Sequence, residues 1–251
     1  DYYLVNTEPT LYEGMYRFKI YEHDYSHSVF DEAKLYKIIP AESKLIGVTP
    51  LGNITQYEST FVPVFAYDQH GNDWLTAVKE CDTIEFRGDA YDTIFVGFTN
   101  YEFTKFVGVE FYNAIVPPQP VPKPIKLFVT GGTLKRGKTL FWQPCSYERE
   151  KQCTHWDITP MDTTIDTIVI VLTYPRPFEV NSVRLFQPEL TGFTINELNL
   201  VNAKHLIEGM VDTLIESSDE ICVEVLPGEE IELLYTGATG EGKLLLVARG
   251  R

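Results

Sequence analysis

The chain has 251 residues, of which 44% are hydrophobic and 23% are charged, and its net charge at pH 7 is −15. It is long enough for two domains that each bury a core. No segment contains the roughly 18 to 20 apolar residues of a membrane helix, and the negative charge repels nucleic-acid phosphates, which bind clustered Lys and Arg. We therefore expect a folded globular protein with no nucleic-acid partner and no membrane-inserted segment.

The first 116 residues are predicted to form a β-sandwich with one short helix. Apolar and polar residues alternate in residues 30–37, 82–86 and 94–99, and Gly, Pro, Asn and Asp separate such segments. This period of two is typical of strands with one buried face, and many short strands indicate a sandwich. Residues 74–80 instead place apolar side chains at i, i+3 and i+4, which predicts a short helix.

A proline-rich segment divides the chain nearly in half. Residues 116–124 contain five prolines, which remove backbone donors and favour an extended spacer. We therefore predict a first domain over residues 1–116, a linker over 117–124 and a second domain over 125–251.

The second domain is predicted to be a diverged copy of the first. Similar blocks follow one another in the same order in both halves, and their separation changes only across loop-like stretches. They are residues 30–37 and 180–187 at a separation of 150, 47–49 and 192–194 at 145, and 82–99 and 219–236 at 137. Phe18 matches Ile168, and the copied helix covers 211–217 with an extension back through Ala203 and Ile207. The predicted fold is all-β, with two tandem, internally duplicated β-sandwich domains that each contain one short helix.

One succession of short motifs has a counterpart among known domains. It comprises residues 31–36 (DEAKLY), 47–50 (GVTP) and 68–75 (DQHGNDWL), followed by Asp82 and then Gly88 with Asp89. The succession resembles the β-rich domains that accompany repeat arrays, such as FG-GAP propellers or tetratricopeptide repeats, in secreted and cell-surface prokaryotic proteins. The resemblance covers about residues 15–100 and, more faintly, 165–236, where the GNDW element is missing. It implies a structural or adhesive module of the cell exterior, with no catalytic residues to carry over.

A nucleotide-binding expression also occurs, in the second half. Residues 132–139 (GTLKRGKT) satisfy GxxxxGK[ST]. A phosphate-binding loop requires a following helix whose N-terminal amides face the anion. The next residues, 140–145 (LFWQPC), are aromatic and then proline and cannot supply that helix. We therefore interpret the segment as a hairpin turn of Gly and basic residues.

The chain contains four cysteines. Cys145 and Cys153 are eight residues apart and flanked by polar residues, and an exported chain would oxidise them, so we predict a disulfide that closes a small loop. Cys81 and Cys222 have no cysteine counterpart in the other copy. They are either free thiols or joined by a bond between the domains.

The loop from Asp68 to Asp73 is rich in oxygen ligands. Ca²⁺ prefers several carboxylate and carbonyl oxygens, so Asp68, Asn72 and Asp73 are candidate ligands, and calcium is the one cofactor that the sequence suggests. The downstream bidentate Glu of an EF-hand is missing. The alternative is therefore an ordinary turn at His70 and Gly71.

The segment 141–156 is longer in the second copy than in the first and is rich in aromatic residues. Its candidate ligand-binding residues are Phe141, Trp142, Tyr147 and Trp156. Exposed aromatic rings on such a loop could stack on sugars or anchor a protein partner. The alternative is a small local core beneath the loop.

No catalytic set is recognisable, since no serine lies in a nucleophile elbow and the five histidines form no triad pattern. We therefore expect a non-catalytic structural or adhesive module with protein partners. The first alternative is a carbohydrate-binding module that uses the 141–156 aromatics on glycans, and the second is an enzyme with a site between the domains. The resemblance implies an extracellular or cell-surface location, and the start at Asp1 without a signal stretch suggests a processed chain or a fragment.

Overall fold

The computed structural model describes residues 2–5, 11–22, 28–48, 52–80, 84–99, 108–115, 125–131, 138–142, 152–157, 167–173, 177–216, 222–238 and 240–250. Most of these residues belong to antiparallel strands, and the described part of the chain contains two short helices. The prediction of an all-β protein is therefore confirmed.

The elements follow one another in chain order. They are β1 (Tyr2–Val5), β2 (Met15–Tyr21), β3 (Ser28–Ile39), β4 (Leu45–Val48), β5 (Ile54–Tyr57), β6 (Thr60–Phe61), β7 (Phe65–Asp68), α1 (Leu75–Lys79), β8 (Phe86–Gly88), β9 (Thr93–Thr99), β10 (Gly108–Ile115), β11 (Ile125–Gly131), β12 (Lys138–Trp142), β13 (Gln152–Asp157), β14 (Thr167–Thr173), β15 (Phe178–Phe186), β16 (Thr194–Leu198), β17 (Leu200–His205), β18 (Gly209–Met210), α2 (Asp212–Ile215), β19 (Val223–Val225), β20 (Glu230–Thr236) and β21 (Lys243–Gly250).

Strand formation follows from the alternation of apolar and polar residues. In β14, buried Ile168, Ile170 and Leu172 alternate with half-buried neighbours, and β20 alternates in the same way. Successive side chains of a strand point to opposite faces, so every second residue enters the core. The β-branched residues that dominate β14 also fit a pleated surface well.

The structure divides the chain into two compact units, of which unit 1 is built from two separate segments and unit 2 from one continuous segment. Unit 1 consists of residues 1–46 and 191–251, and unit 2 consists of residues 47–190. These segments differ from the predicted domains 1–116 and 125–251, because strands near the two chain ends pair with each other in unit 1. The predicted linker, residues 117–124, lies outside the described residues.

Unit 1 contains two antiparallel sheets. Sheet A has the strand order β1-β21-β3-β16, with β19 also paired to β3, and sheet B has the order β18-β17-β20-β2. Both sheets contribute to one buried cluster, which comprises Tyr16, Ala33, Leu35, Leu198, Ala203, Val211, Ile215, Val223, Val225, Ile231, Leu233, Tyr235, Leu244 and Leu246. The ends of the chain are therefore joined through one hydrophobic core.

Unit 2 repeats this arrangement. Sheet C has the order β13-β10-β15-β6, with β8 also paired to β15, and sheet D has the order β12-β11-β14-β9-β7. Its core cluster comprises Ala66, Ala77, Val78, Phe86, Ile94, Val96, Phe98, Ile168, Ile170, Leu172, Phe178, Val180, Val183 and Leu185. A separate two-stranded sheet joins β4 to β5.

The registers of sheets A and C agree residue by residue with the separations found in the sequence. Val223 of β19 pairs with Phe30 of β3, and Phe86 of β8 pairs with Val180 of β15. The numbers of Phe86 and Val223 differ by 137, and those of Phe30 and Val180 differ by 150, as the two blocks require.

An irregularity in these sheets is also repeated. The register between β21 and β3 shifts between Arg249 and Gly250, and the register between β10 and β15 shifts between Tyr112 and Asn113. Arg249 lies 137 residues after Tyr112, and Gly250 lies 137 residues after Asn113. A register shift therefore recurs at the same separation, outside the blocks that the sequence compares.

Three strands of sheet B have counterparts in sheet D, and the separation in one of these strands differs from the sequence match. Tyr16 of β2 pairs with Tyr235 of β20, whereas Ile168 of β14 pairs with Phe98 of β9. Since Phe98 corresponds to Tyr235 at the separation of 137, Ile168 corresponds to Tyr16 and not to Phe18, which the sequence comparison had matched to it. The register therefore gives a separation of 152 in this strand.

The two predicted helices are present as α1 and α2, each shorter than predicted. The Trp74 amide donates to the Ala66 carbonyl at 2.9 Å before α1, and the Val211 amide donates to the Ala203 carbonyl at 2.9 Å before α2. The predicted extension of the second helix through Ala203 and Ile207 is wrong. Ala203 lies in β17 and Ile207 in the following turn, because β17 pairs with β18 as a hairpin.

The last two residues of the nucleotide-binding expression begin a strand. Lys138 and Thr139 open β12, which pairs antiparallel with β11. This pairing agrees with the hairpin interpretation, and residues 132–137 lie outside the described residues.

A buried hydroxyl links the two sheets of unit 1. Tyr235 is 1% exposed, and its hydroxyl donates to the Ala33 carbonyl at 2.9 Å. Burial raises the pKa of Tyr235 above its usual value, and the nearby carboxylate of Glu197 adds to the effect. The neutral phenol is therefore the form that the folded state holds.

Tyr235→Phe should lower the free energy of unfolding by about 1 kcal/mol, because the Ala33 carbonyl loses its donor. The folded-state pKa is raised, so stability is fully present below the unfolded value of about 10 and falls as the pH rises above it. Urea denaturation should therefore show that the free energy of unfolding falls more steeply above about pH 10 in the wild type than in the variant. Tyr91→Phe, at a site that is 72% exposed, is the control. Equal alkaline slopes for the wild type and Tyr235→Phe would contradict this account.

Candidate functional site

The predicted calcium loop of unit 2 is a turn built around the Asp68 carboxylate. One oxygen accepts hydrogen bonds from the His70 and Asn72 amides, both at 2.9 Å. The other accepts from Asn72 Nδ2 at 2.8 Å and from Trp74 Nε1 at 3.1 Å. Burial opposes ionisation of this carboxyl, but the four hydrogen bonds outweigh it and hold the pKa of Asp68 well below its usual value.

The other two predicted ligands hold the same turn. Asn72 uses its side chain as a donor to Asp68, and Asp73 Oδ1 accepts the Leu75 amide at 2.9 Å where α1 begins. Among the described residues, no group of three or more His, Cys, Asp or Glu side chains could hold a metal ion. The loop thus brings Asp68, Asn72 and Asp73 together with roles in the turn, and calcium binding remains a prediction.

Unit 1 has a counterpart of this turn with different chemistry. His205, which is 1% exposed, stands 137 residues after Asp68 at the end of β17. Its Nδ1 accepts the Glu208 amide at 3.1 Å and the Ile207 amide at 3.4 Å. The Nε2 atom lies 3.3 Å from Glu229 Oε2. The sequence did not reveal this residue, because a lone histidine at a strand end has no distinctive spacing.

The neighbouring loops also correspond. The Asp89 amide donates to Asp92 Oδ2 at 2.8 Å, and the Leu226 amide donates to Glu229 Oε2 at 2.8 Å. The residues before the second acid, Tyr91 and Gly228, both have positive φ, at 68° and 86°. Each unit therefore ends in the same pair of loops, on which different side chains are mounted.

The outer faces of sheets B and D differ sharply. In sheet D, one row across three strands consists of Val171, Phe95 and Tyr67. The Tyr67 ring stacks on Phe95 at 5.1 Å and on Phe65 at 5.8 Å between centroids. The corresponding row of sheet B consists of Lys19, Glu232 and Lys204. The sheet D face is therefore aromatic where the sheet B face is charged.

Phe65 has a structural partner beneath it. It pairs with Gly97, and a Cβ built on Gly97 would lie 1.9 Å from Phe65 Cζ. The ring therefore occupies the space above the glycine, an arrangement known to stabilise sheets. Tyr67, which is 41% exposed, and half-buried Phe95 are left as the accessible aromatic residues of the row.

The predicted ligand-binding aromatics are distributed over two sheets. Phe141 and Trp142 lie in β12, at the edge of sheet D opposite β7, whereas Trp156 lies in β13, at the edge of sheet C. Tyr147 lies outside the described residues. The structure therefore places Phe141 and Trp142 together in one strand and Trp156 in a strand of another sheet.

The cysteine predictions fall mostly outside the described residues. Cys145 and Cys81 are not described, and Cys153 lies in β13 opposite Tyr112. The disulfide between Cys145 and Cys153 therefore remains a prediction. Cys222 is an exposed free thiol just before β19.

Comparison with known protein families, with curated proteins and with solved structures finds no match. Within the described residues, no helix could span a membrane, since α1 and α2 have five and four residues.

Asp68→Asn should lower the free energy of unfolding at pH 7, because an amide cannot accept all four hydrogen bonds. The folded-state pKa lies below the unfolded value of about 3.9, so the stabilisation is present above that pH and lost as the pH falls through the folded pKa. Urea denaturation should show that the wild type exceeds the variant in free energy of unfolding, and that this difference is smaller at pH 3 than at pH 7. Asp89→Asn, an exposed site of the same charge change, should show no such difference, and an equal difference in both variants would be inconsistent with this role of Asp68.

Gly97→Ala should lower the free energy of unfolding by about 1 to 3 kcal/mol, because the new methyl group collides with the Phe65 ring. Phe65→Ala in the same chain should relieve the collision, so the double variant should lose less stability than the sum of the two single variants. Chemical denaturation of all four proteins measures this coupling. Strict additivity would show that the ring and the glycine act independently.

Proposed function

We propose that the protein is a non-catalytic structural or adhesive module of an extracellular or cell-surface assembly. The observation that carries the proposal is the accessible aromatic row on the outer face of sheet D, at positions where sheet B has a charged row. Large exposed apolar surfaces on soluble domains are typical of interaction sites. Tyr and Phe are also enriched at the centres of such sites.

The proposal includes an architecture of two duplicated β-sandwich copies that exchange strands. The first copy contributes residues 1–46 to unit 1 and residues 47–116 to unit 2, and the second contributes 125–190 to unit 2 and the remainder, from 191, to unit 1. The repeated registers and the repeated register shift support this arrangement. Gly47 and Gly192, matched in the sequence, lie just after the two passages between units.

Strand exchange suits a load-bearing role. The β3 strand of the first copy finds its neighbours β16, β19 and β21 in the second copy, and β15 of the second copy finds β6, β8 and β10 in the first. Neither copy then has a complete set of strand partners by itself. Both copies must be in place before either core closes, which makes the two units depend on the same chain segments.

A carbohydrate-binding function is the second candidate, and the aromatic row favours it. Aromatic rings bind the apolar faces of sugar rings by the same stacking that joins Phe65, Tyr67 and Phe95 to one another. In that case the glycan would lie on the row and extend toward the edge strand that contains Phe141 and Trp142. A structural module would use the same row on a protein partner.

Replacing Tyr67 with Lys and Phe95 with Glu, the residues at the matching positions of sheet B, should abolish adhesion. The variant Tyr67→Lys/Phe95→Glu keeps Phe65 above Gly97, so the strand pairing should persist, as circular dichroism would show. Binding of the full chain is measured on surfaces coated with extracellular glycoprotein and on a glycan array. Lys204→Ala, on the charged face, is the control.

The glycoprotein-coated surface and the glycan array distinguish the two candidate functions. Binding to protein after enzymatic removal of its glycans would support the structural or adhesive module, and binding to isolated glycans would support the second candidate. Unchanged adhesion of Tyr67→Lys/Phe95→Glu would contradict the proposal that the outer face of sheet D binds the partner. Absence of wild-type adhesion to both the coated surface and the glycan array would also contradict it.

A further inference from the structure

The two loops at the end of unit 1 expose a cluster of aliphatic side chains. Leu206 is 60% exposed, Ile207 71%, Met210 58% and Leu226 45%. The first three lie on or beside the turn after β17, and Leu226 lies in the loop between β19 and β20. We call these four residues the apolar tip.

The backbone of the apolar tip is fixed by hydrogen bonds that do not involve these side chains. The Leu206 amide donates to the Glu230 carbonyl at 3.0 Å, which joins the two loops. His205 Nδ1 accepts the amides of the turn, and Glu229 Oε2 accepts the Leu226 amide. The aliphatic side chains are therefore held on a rigid frame and exposed to solvent.

The corresponding loops of unit 2 show that the frame does not require apolar residues. The Gln69 amide donates to the Thr93 carbonyl at 3.1 Å, as the Leu206 amide does to Glu230. At the separation of 137, the positions of the apolar tip are occupied in unit 2 by Gln69, His70, Asp73 and Asp89. Polar residues thus fit the same backbone, and the exposed aliphatic surface has no role in forming it.

The charges around the apolar tip indicate the chemistry of its partner. Residues 204–210 and 222–230 contain one lysine and four glutamates, and the whole chain has a net charge of −15. Of the four, Glu230 pairs with Lys19 at 2.7 Å and Glu229 accepts the Leu226 amide, whereas Glu208 and Glu224 are exposed and give the rim its negative charge. Interfaces combine an apolar centre with a polar rim, and complementary charge steers the encounter.

We propose that the apolar tip is a docking surface for a partner protein that presents aliphatic side chains flanked by Lys or Arg. This surface lies on unit 1 and is distinct from the aromatic row on unit 2. The same acidic rim repels a second copy of this chain and repels anionic lipid, so neither is the occupant.

The experiment exchanges the tip residues between the two units of the full chain. The variant Leu206→Gln/Ile207→His/Met210→Asp/Leu226→Asp gives unit 1 the residues of unit 2. Its Met210→Asp change places a carboxylate acceptor before α2, as Asp73 does before α1. The probe is a fluorescently labelled amphipathic peptide of leucine and lysine, and its binding to the protein is measured by fluorescence anisotropy. A leucine and glutamate peptide of the same pattern is the charge-reversed control.

The wild type should bind the lysine peptide, and the tip variant should bind it roughly tenfold or more weakly, as the loss of central apolar side chains implies. The variant adds two negative charges, so a purely electrostatic association would instead become stronger, and that outcome overturns the proposal. Absence of lysine-peptide binding by the wild type, or equal binding of both peptides, also overturns it. The reciprocal variant Gln69→Leu/His70→Ile/Asp73→Met/Asp89→Leu should gain a second binding site, which keeps the test decisive if the first variant fails to fold.

Two further measurements address other occupants. Sedimentation with vesicles of zwitterionic lipid, and light scattering of the protein alone, should show no difference between wild type and tip variant. Vesicle binding or self-association that the tip substitutions abolish would overturn the proposal in favour of a lipid surface or a second copy.

Discussion

The pairing of β3 with β21 is the constraint on which unit 1 depends. The twelve residues of β3 pair with β21 on one side and with β16 and β19 on the other, so this strand brings three distant segments together. Leu35 and Leu246, which pair with each other, both enter the core. A slip of one residue would turn every side chain of β3 to the opposite face. At the register shift, Gly250 approaches so closely that a Cβ there would lie 1.8 Å from the Val29 carbonyl oxygen, which further restricts the register.

This constraint has a kinetic consequence. The β1 strand pairs with β21, so contacts in unit 1 join residues at opposite ends of the chain. The entropy lost on closing such a loop grows only slowly with its length, and the paired state can therefore be stable. Folding rates, however, fall as contacts become less local. Each unit needs segments from both halves of the chain. The contacts between these segments therefore stabilise the folded chain and also slow its folding.

The sequence predicts the strands of this protein better than it predicts their partners. Alternation within β14 or β20 is a local property and is visible in the residues themselves, as are the two short helices. Which strands pair with each other depends on the whole chain. The same sequence blocks would appear whether strands pair within one copy or between the two copies. The spacing of Ile207 from Ala203 and Val211 fits a helical face and predicts a helix, whereas the pairing of β17 with β18 places Ile207 in a turn. For Asp68 the sequence leaves open both a calcium ligand and an ordinary turn, because a carboxylate that accepts amide hydrogen bonds and one that binds calcium occur in the same kind of loop.

The Asp68 and His205 turns show how far one backbone can be maintained by different chemistry. Asp68 satisfies four donors with a buried negative charge, and its lowered pKa follows from them. His205 accepts the Glu208 and Ile207 amides through Nδ1, and its Nε2 lies beside Glu229. The hydrogen-bonding demand of the turn is met in both cases, and residues that do not meet that demand are free to change. The surfaces at which the two units differ most, the aromatic row and the apolar tip, are made of such residues, and this is the physical reason to place the interactions of the protein there.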